Sequence, residues 1–346
     1  MARFDEWIAM NGYDGKLIDE RGQVTPGVLP QAVAEVNYLD YDLRNVMDRR
    51  RSRLARRWRF NQFQFIGVMA RDWVFGAAVA DLKLIANGFF YLYDFTSGAL
   101  LEHSSLQPLA RGTHIEPRPE DGAAHYRKGG VDMRILADGH SRQLTITAPG
   151  DIRILLDLQQ DEDPLRLVSR AGYNGWAFTR KSAGLPVDGE VRWGDRVWRC
   201  DEQCRGSIDW SCGFMRRETA WNWACLAGRL GDGRSLGLNL AAGVNETGVT
   251  ENALWLDGRC IRLGLADFRF DRYRPETPWR VTTSDGRVDL HFVPAGVRRE
   301  RLNALVLASN FRQFAGTFEG VVVDDQGREL AVTGLRGLME DHYARW

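Results

Sequence analysis

The chain has 346 residues, 44% hydrophobic and 27% charged, the composition of a globular protein that buries a full core. Basic and acidic residues number 46 each, a zero formal charge that removes the electrostatic case for a nucleic-acid or anionic-membrane partner. No run of about 18 apolar residues is present to cross a bilayer as a helix, so no integral membrane segment is expected.

In chain order, Met1–Trp7 has no apolar run behind its positive charge, so no secretory signal is read there. The five cysteines (Cys200, Cys204, Cys212, Cys225, Cys260) are an odd number in a large chain, which argues against a disulfide framework. A cytoplasmic, reducing location is the expectation. The spacing of Cys200, Cys204 and Cys212 is irregular and lacks a nearby histidine, so isolated thiols are read there and no metal site. His103, His114 and His125 lack the close spacing of a ligand pair.

Asp42–Arg59 carries Leu43, Val46, Met47 and Leu54 at roughly helical spacing among many arginines. It reads as a solvated helix or linker, with an anion-binding patch as the alternative. Strands are then expected at Gln62–Met69, Trp73–Ala80, Gly88–Asp94, Val131–Leu136, Gln143–Ala148 and Ile152–Leu158. Others follow at Leu305–Ser309, Phe318–Val323 and Glu329–Thr333. Many short strands with few helical patterns indicate an all-β barrel or sandwich.

Asp-Gly pairs punctuate the second half at Asp232-Gly233, Asp257-Gly258 and Asp285-Gly286, each a signal for a hairpin loop. A turn centred on Asp285-Gly286 pairs Thr283 with Val288, Val281 with Leu290 and Trp279 with Phe292. The opposite face pairs Thr282 with Asp289 and Arg280 with His291, giving one apolar and one polar face.

The most function-laden stretch is Asp209–Asn252. A turn centred on Asp232-Gly233 sets Cys225 opposite Leu240, Trp223 opposite Ala242 and Ala227 opposite Leu238. Alternation then gathers Arg216, Glu218, Ala220, Asn222, Ala224 and Leu226 on the other face, meeting Asn239, Ala241 and Gly243. Small residues mixed with amides and charges suit a cavity wall, and a buried amide network bracing the core is the open alternative. Glu218, Glu246 and Glu251 are the candidate catalytic acids or bases. Asp209, Arg216, Trp221, Asn222, Asn239, Asn245 and Asn252 are the candidate ligand-binding residues. Near the C-terminus, Glu340 and His342 read as packing against a barrel, with an acid–base role for His342 as the alternative.

Several blocks carry a family resemblance over nearly the whole chain from about Gly22. They are RWRFNQFQFIGVMARDWVFGAAVADLKLIANGFFYLYDF, Tyr173–Val187 (YNGWAFTRKSAGLPV), ETAWNWACLAGRLGDGRSLGLNLAAGVNETGVTEN, and the C-terminal FAGTFEGVVVDDQGRELAVTGLRGLMEDHYARW. The chain resembles a microbial family described as domain of unknown function 2804, itself distantly similar to carotenoid hydratase and AttH-like proteins. That resemblance implies two lipocalin-like (calycin-type) antiparallel β-barrels packed together, and it transfers no catalytic residues.

The expected organisation is residues 1–57 as an N-terminal segment with the Arg-rich linker or helix, then β-barrel-like domains at 58–187 and 188–346. No P-loop, dinucleotide fingerprint, nucleophile elbow or zinc-protease motif is present, so no cofactor is expected. The expected ligand is a small hydrophobic, lipid- or terpenoid-like molecule in a barrel cavity, held with or without cofactor-independent hydratase or isomerase activity. A non-catalytic carrier or sensor and a carbohydrate-binding β protein are the alternatives. The sequence is silent on oligomeric state.

Overall fold

The computed structural model describes residues 14–246, 248–304 and 307–345. They form two curled, fully antiparallel sheets and a short helix, Arg53–Arg59. Ser52 caps that helix, its Oγ accepting from Ala55 N at 3.2 Å. Arg56 is buried and its Nη1 donates to the carbonyls of Leu39 and Tyr41. The Arg-rich segment is thus a capped helix anchored by one arginine, with the others largely outward.

The first sheet has fourteen strands and the second nine. In the first, Arg205–Gly213 inserts between Asn61–Met69 and Gly175–Trp193 and joins the two halves. The second runs from Glu218–Arg229 onward, so the change of sheet falls between Gly213 and Glu218. The expected boundary at 187/188 lies inside the 19-residue strand Gly175–Trp193. Pro186 at that point sits beside a bulge, which bends the strand and keeps its pairing.

In the first sheet, Asn61–Met69, Trp73–Asp81 and Ile85–Asp94 are buried on both faces, which is why they read as continuous hydrophobic runs, whereas Val131–Ala137 and Ile152–Gln159 alternate. Along Trp73–Asp81, Phe75, Ala77 and Val79 enter the sheet's own core, while Val74 and Ala78 face the second sheet. Ile66 and Phe65, then Phe90 and Phe89, divide in the same way. The concave interior of each sheet is filled with side chains. Within the first, Arg142 is buried beside Arg180, Glu120 and Glu162, and burial pushes its pKa down to about 9.

The hairpin at Asp285-Gly286 has the expected register, pairing Trp279 with Phe292, Arg280 with His291, Val281 with Leu290 and Thr282 with Asp289. At Asp257-Gly258 both residues have positive φ and Leu256 pairs with Arg259, a two-residue primed turn. The hairpin at Asp232-Gly233 differs from expectation. Leu230 and Arg234 close a three-residue loop, Gly231–Gly233, in which only Gly233 has positive φ. The extra residue shifts the register by one: Cys225 faces Asn239, Trp223 faces Ala241 and Ala227 faces Gly237. Asn222 and Asn239 therefore lie on opposite faces, because a single slip inverts every side chain.

Three C-terminal strands, Val288–Ala304, Leu307–Val323 and Glu329–Arg345, have seventeen residues each, far longer than expected; Leu305 of the Leu305–Ser309 candidate lies outside the described residues. Bulges interrupt their pairing at Pro294/Gly296 and at Phe318/Gly320. Each inserted residue inverts the alternation. Leu290 and Phe292 fill the second core, yet beyond the bulge Arg298 leaves it for the gap between the sheets. Leu330 and Val332 do the same before Glu340 and His342.

Candidate functional site

The sheets meet along an apolar layer that includes Phe65, Tyr91, Trp223, Trp255 and Leu338. They touch where Gly237 lies on the backbone of Ala183 and Gly184, with no space for a Cβ. Beside this contact the layer opens into a cavity of about 320 Å³. It lies between the sheets, not within either barrel as the sequence reading had placed it. The barrel interiors hold large buried apolar clusters, whereas charged and polar residues line this gap together with apolar ones.

Its first wall comes from a sequence oddity, the adjacent cations Arg180-Lys181 in mid-strand. Successive strand residues point to opposite faces, so one enters each side of the sheet. Arg180 turns into the first core and meets Glu120 at 3.0 Å. Lys181 turns into the cavity, where its Nζ lies 2.5 Å from Asp209 Oδ2 and 3.6 Å from Glu251 Oε1. Ser211 Oγ donates to Asp209 Oδ1 at 2.6 Å, and Thr179 and Ser211 share a 2.8 Å hydrogen bond. Asp209 is saturated with donors. Glu251 is buried, and desolvation pushes its pKa up, with Asp209's charge adding to the rise and Lys181 opposing it. A carboxyl of this kind holds its proton above the ordinary range.

The opposite wall carries a chain of polar side chains from the second sheet. Trp221 Nε1 donates to Glu340 Oε1 at 2.9 Å, and Gln313 Nε2 to Glu340 Oε2 at 3.0 Å. The Tyr91 hydroxyl donates to Gln313 Oε1. His342 Nδ1 lies 3.5 Å from Glu340 Oε1, and its Nε2 faces Ser309 Oγ at 3.0 Å. Its ring packs against Trp221 and Phe311. The Arg298 guanidinium lies over the rings of Phe89 and Phe311 and pairs with Glu102 and Glu300, at 3.3 Å each.

Of the residues singled out from sequence, Asp209, Arg216, Trp221, Asn245 and Glu251 line the cavity. Glu218, Glu246, Asn222, Asn239 and Asn252 do not. Alternation puts Thr219, Trp221 and Trp223 on the cavity side and leaves Glu218 exposed on the other. Glu246 Oε1 is held by Arg216 Nε and by Gly172 N, both at 2.7 Å, as a clamp on the rim. Asn222 Nδ2 donates to Glu340 O and Asp341 Oδ1 at 3.2 Å. Asn252 is fully buried, accepting from Ala241 N at 2.7 Å and donating to Gly264 O at 2.8 Å. Asn239 accepts from Trp223 Nε1 and donates to Glu251 O, each at 2.8 Å. Asn239 and Asn252 brace the backbone around Glu251, and Asn222 that at Glu340. Asn239→Leu is accordingly expected to cost about 2 kcal/mol, since it strands a buried indole N–H and a carbonyl; equal urea midpoints for parent and variant would contradict this.

Sequence reasoning missed Lys181, Thr179, Ser211, Arg298, Ser309 and Gln313. The Arg180-Lys181 pair was the available signal. Of the rest, Arg298 depended on a bulge that no period-2 pattern reveals. Cys204 Sγ donates to Asp201 Oδ1 at 3.3 Å. Among the described residues no group of three His, Cys, Asp and Glu side chains is placed to hold a metal ion, and no helix is long and apolar enough to cross a membrane.

Two curled antiparallel sheets enclosing an apolar cavity with buried charges define a lipocalin-type β protein. The chain belongs to the family described as Domain of unknown function (DUF2804), whose match spans residues 11–346. No curated protein matches it in sequence. Among solved structures it is similar to a putative AttH from Nitrosomonas europaea, with a TM-score of 0.52 at 14% identity, covering 81% of this chain and 92% of that one. A protein named CghA gives 0.51 at 11% identity over 94% and 95% of the two chains. Kievitone hydratase from Nectria haematococca gives 0.50 at 11% identity over 81% and 88%. At these identities the likeness concerns the fold.

Proposed function

We propose that this chain binds a small, largely apolar molecule between its two sheets and, without a cofactor, adds water across a double bond in it or isomerises that bond. The observation that carries this reading is a buried Glu251 beside Lys181 and Asp209 in a mostly apolar cavity, with desolvation raising its pKa. One of the proteins sharing the fold is named as a hydratase, which agrees with it. Glu251 donates its proton to one carbon of the double bond. The electron-poor centre that forms faces the rings of Trp221, Trp223 and Phe311. For hydration, a water oxygen bonds to that centre and its proton passes to His342, whose Nε2 already faces a hydroxyl; the net change is gain of H and OH. For isomerisation, a neighbouring C–H proton passes to the Glu251 carboxylate instead, which restores the acid.

Glu251→Gln keeps the shape and removes the proton. Turnover is expected to fall by about 10²–10⁴-fold with retention of the ligand unchanged. Because burial raises the Glu251 pKa, parent activity falls as pH rises through that elevated value, and the variant lacks this limb. Native mass spectrometry of protein purified from its source identifies the captured molecule for the assay. Ala308 lines the cavity, so Ala308→Trp fills it; Nile red binding that survives this change overturns the cavity reading. A ligand retained unaltered by the parent would make the protein a carrier. The carbohydrate reading required an exposed row of tryptophans, whereas among the described residues Trp58 is the exposed one.

A further inference from the structure

The cavity opens into a second space of about 680 Å³, and Asn61, Leu82, Ala171, Met215, Arg216 and Leu307 border both. Leu43–Val46, Arg51, Trp58 and Arg59, from the Arg-rich helix and the turn before it, form one side of this vestibule, and Ala171–Gly175 with Phe214–Arg217 form another. Its charge is one-sided. Arg44, Arg51, Arg59, Arg216 and Arg217 line it, and no aspartate or glutamate does. The inner cavity is balanced by comparison: Lys181 has Asp209 and Glu251, and Arg298 has Glu102 and Glu300.

Two of the five vestibule arginines are compensated from its rim, Arg44 by Asp42 at 2.8 Å and Arg216 by Glu246 at 2.7 Å. Among the described residues no carboxylate pairs with Arg51, Arg59 or Arg217, and Arg51 Nε is shielded from solvent without a hydrogen-bond partner. Between these cations stand apolar side chains left open to solvent: Val46 at 74%, Tyr173 at 73%, Leu84 at 56% and Trp58 at 43% exposed. Unpaired guanidiniums beside exposed apolar surface, continuous with an apolar cavity, match a molecule that is itself two-ended.

We propose that the ligand is an anionic amphiphile, its apolar part in the cavity between the sheets and a carboxylate or similar anionic head at Arg51, Arg59 and Arg217. The assignment rests on the cavity reading and adds the head group to it. Guanidinium forks bind carboxylates through paired, charge-assisted hydrogen bonds. In the inner cavity Lys181 and Arg298 are already paired with Asp209, Glu251, Glu102 and Glu300, so an anion gains less there than at the vestibule arginines. The head therefore stays outside and the double bond or other reactive part is carried inward to Glu251.

The test compares dodecanoate, methyl dodecanoate and dodecylamine as displacers of Nile red from the full chain, below their micelle concentrations. Dodecanoate is expected to bind at least about tenfold more tightly than its methyl ester. That advantage should shrink when ionic strength is raised from about 0.05 to about 0.5 M. Arg59 and Arg217 are exposed, so R59Q/R217Q should leave the ester's affinity unchanged and reduce the acid's to the ester's. Equal binding of acid and ester by the parent, a preference for the amine, or a preference for the acid that survives R59Q/R217Q overturns the head-group assignment while the cavity reading stands. Failure of both acid and ester to displace the dye overturns both.

Discussion

Lys181→Met is expected to destabilise the fold by about 3–5 kcal/mol near neutral pH, because removing one partner of a buried ion group leaves the other charges uncompensated. The Lys181 side chain is only 4% exposed and meets Asp209 and Glu251 in the same small space. Burial by itself would lower the lysine pKa, but the two carboxylates outweigh it and hold it above the ordinary value. Its stabilising contribution is thus complete below the ordinary lysine pKa and is lost only as pH rises through the elevated one. In the variant, Asp209 keeps its hydroxyl donors while Glu251 loses its cation. Burial already raises the Glu251 pKa, and loss of Lys181 raises it further. A folded-state pKa above the unfolded one means the penalty is absent at low pH and grows as pH rises through the unfolded value. Urea unfolding at about pH 4 and pH 8 should therefore show a larger deficit at pH 8. The triple change Lys181→Met, Asp209→Asn, Glu251→Gln should recover most of the loss. A single variant as stable as the parent at pH 8 would mean that water reaches this group freely.

Gly237→Ala is expected to cost about 1–3 kcal/mol, and Gly237→Val more, through overpacking where the sheets touch. A Cβ there would lie 2.2 Å from the carbonyl carbon of Ala183 and 2.5 Å from Gly184 N. Both are backbone atoms at the bulge of Gly175–Trp193, where Ala183 and Leu185 pair with Arg205–Gly213, so a shift there disturbs that pairing. The backbone of Gly237 itself is ordinary; the cost is one of space. Gly231, in the neighbouring hairpin loop, has nothing within 4 Å of its Cβ position. Gly231→Ala should then stay within about 0.5 kcal/mol of the parent. Because the Gly237 contact sets the separation of the sheets beside the cavity, the alanine variant should also lose Nile red binding before it loses secondary structure. Thermal melts followed by circular dichroism, with dye binding in parallel, check both parts.

Much of the architecture was legible in the chain. Asp-Gly turns, alternating strands and the absence of helical periodicity determined an antiparallel β protein, and the family resemblance pointed to its paired lipocalin-like form. The Asp285-Gly286 hairpin was fixed to the residue, since a two-residue loop leaves one register and one apolar face. The site was less legible, for three physical reasons. One extra residue in the Gly231–Gly233 loop slipped the central hairpin and parted Asn222 from Asn239. Bulges in the long C-terminal strands inverted their alternation, which carried Arg298, Glu340 and His342 out of the core pattern and into the cavity wall. And Lys181 and Asp209 meet as partners on two strands of the first sheet, while Glu251 reaches them from the chain of the second, so the full group depends on strand order and on how the sheets pack. Local chemistry determined the strands and most turns. Only the packing of one sheet on the other decided where space remained, and which buried charges would face it.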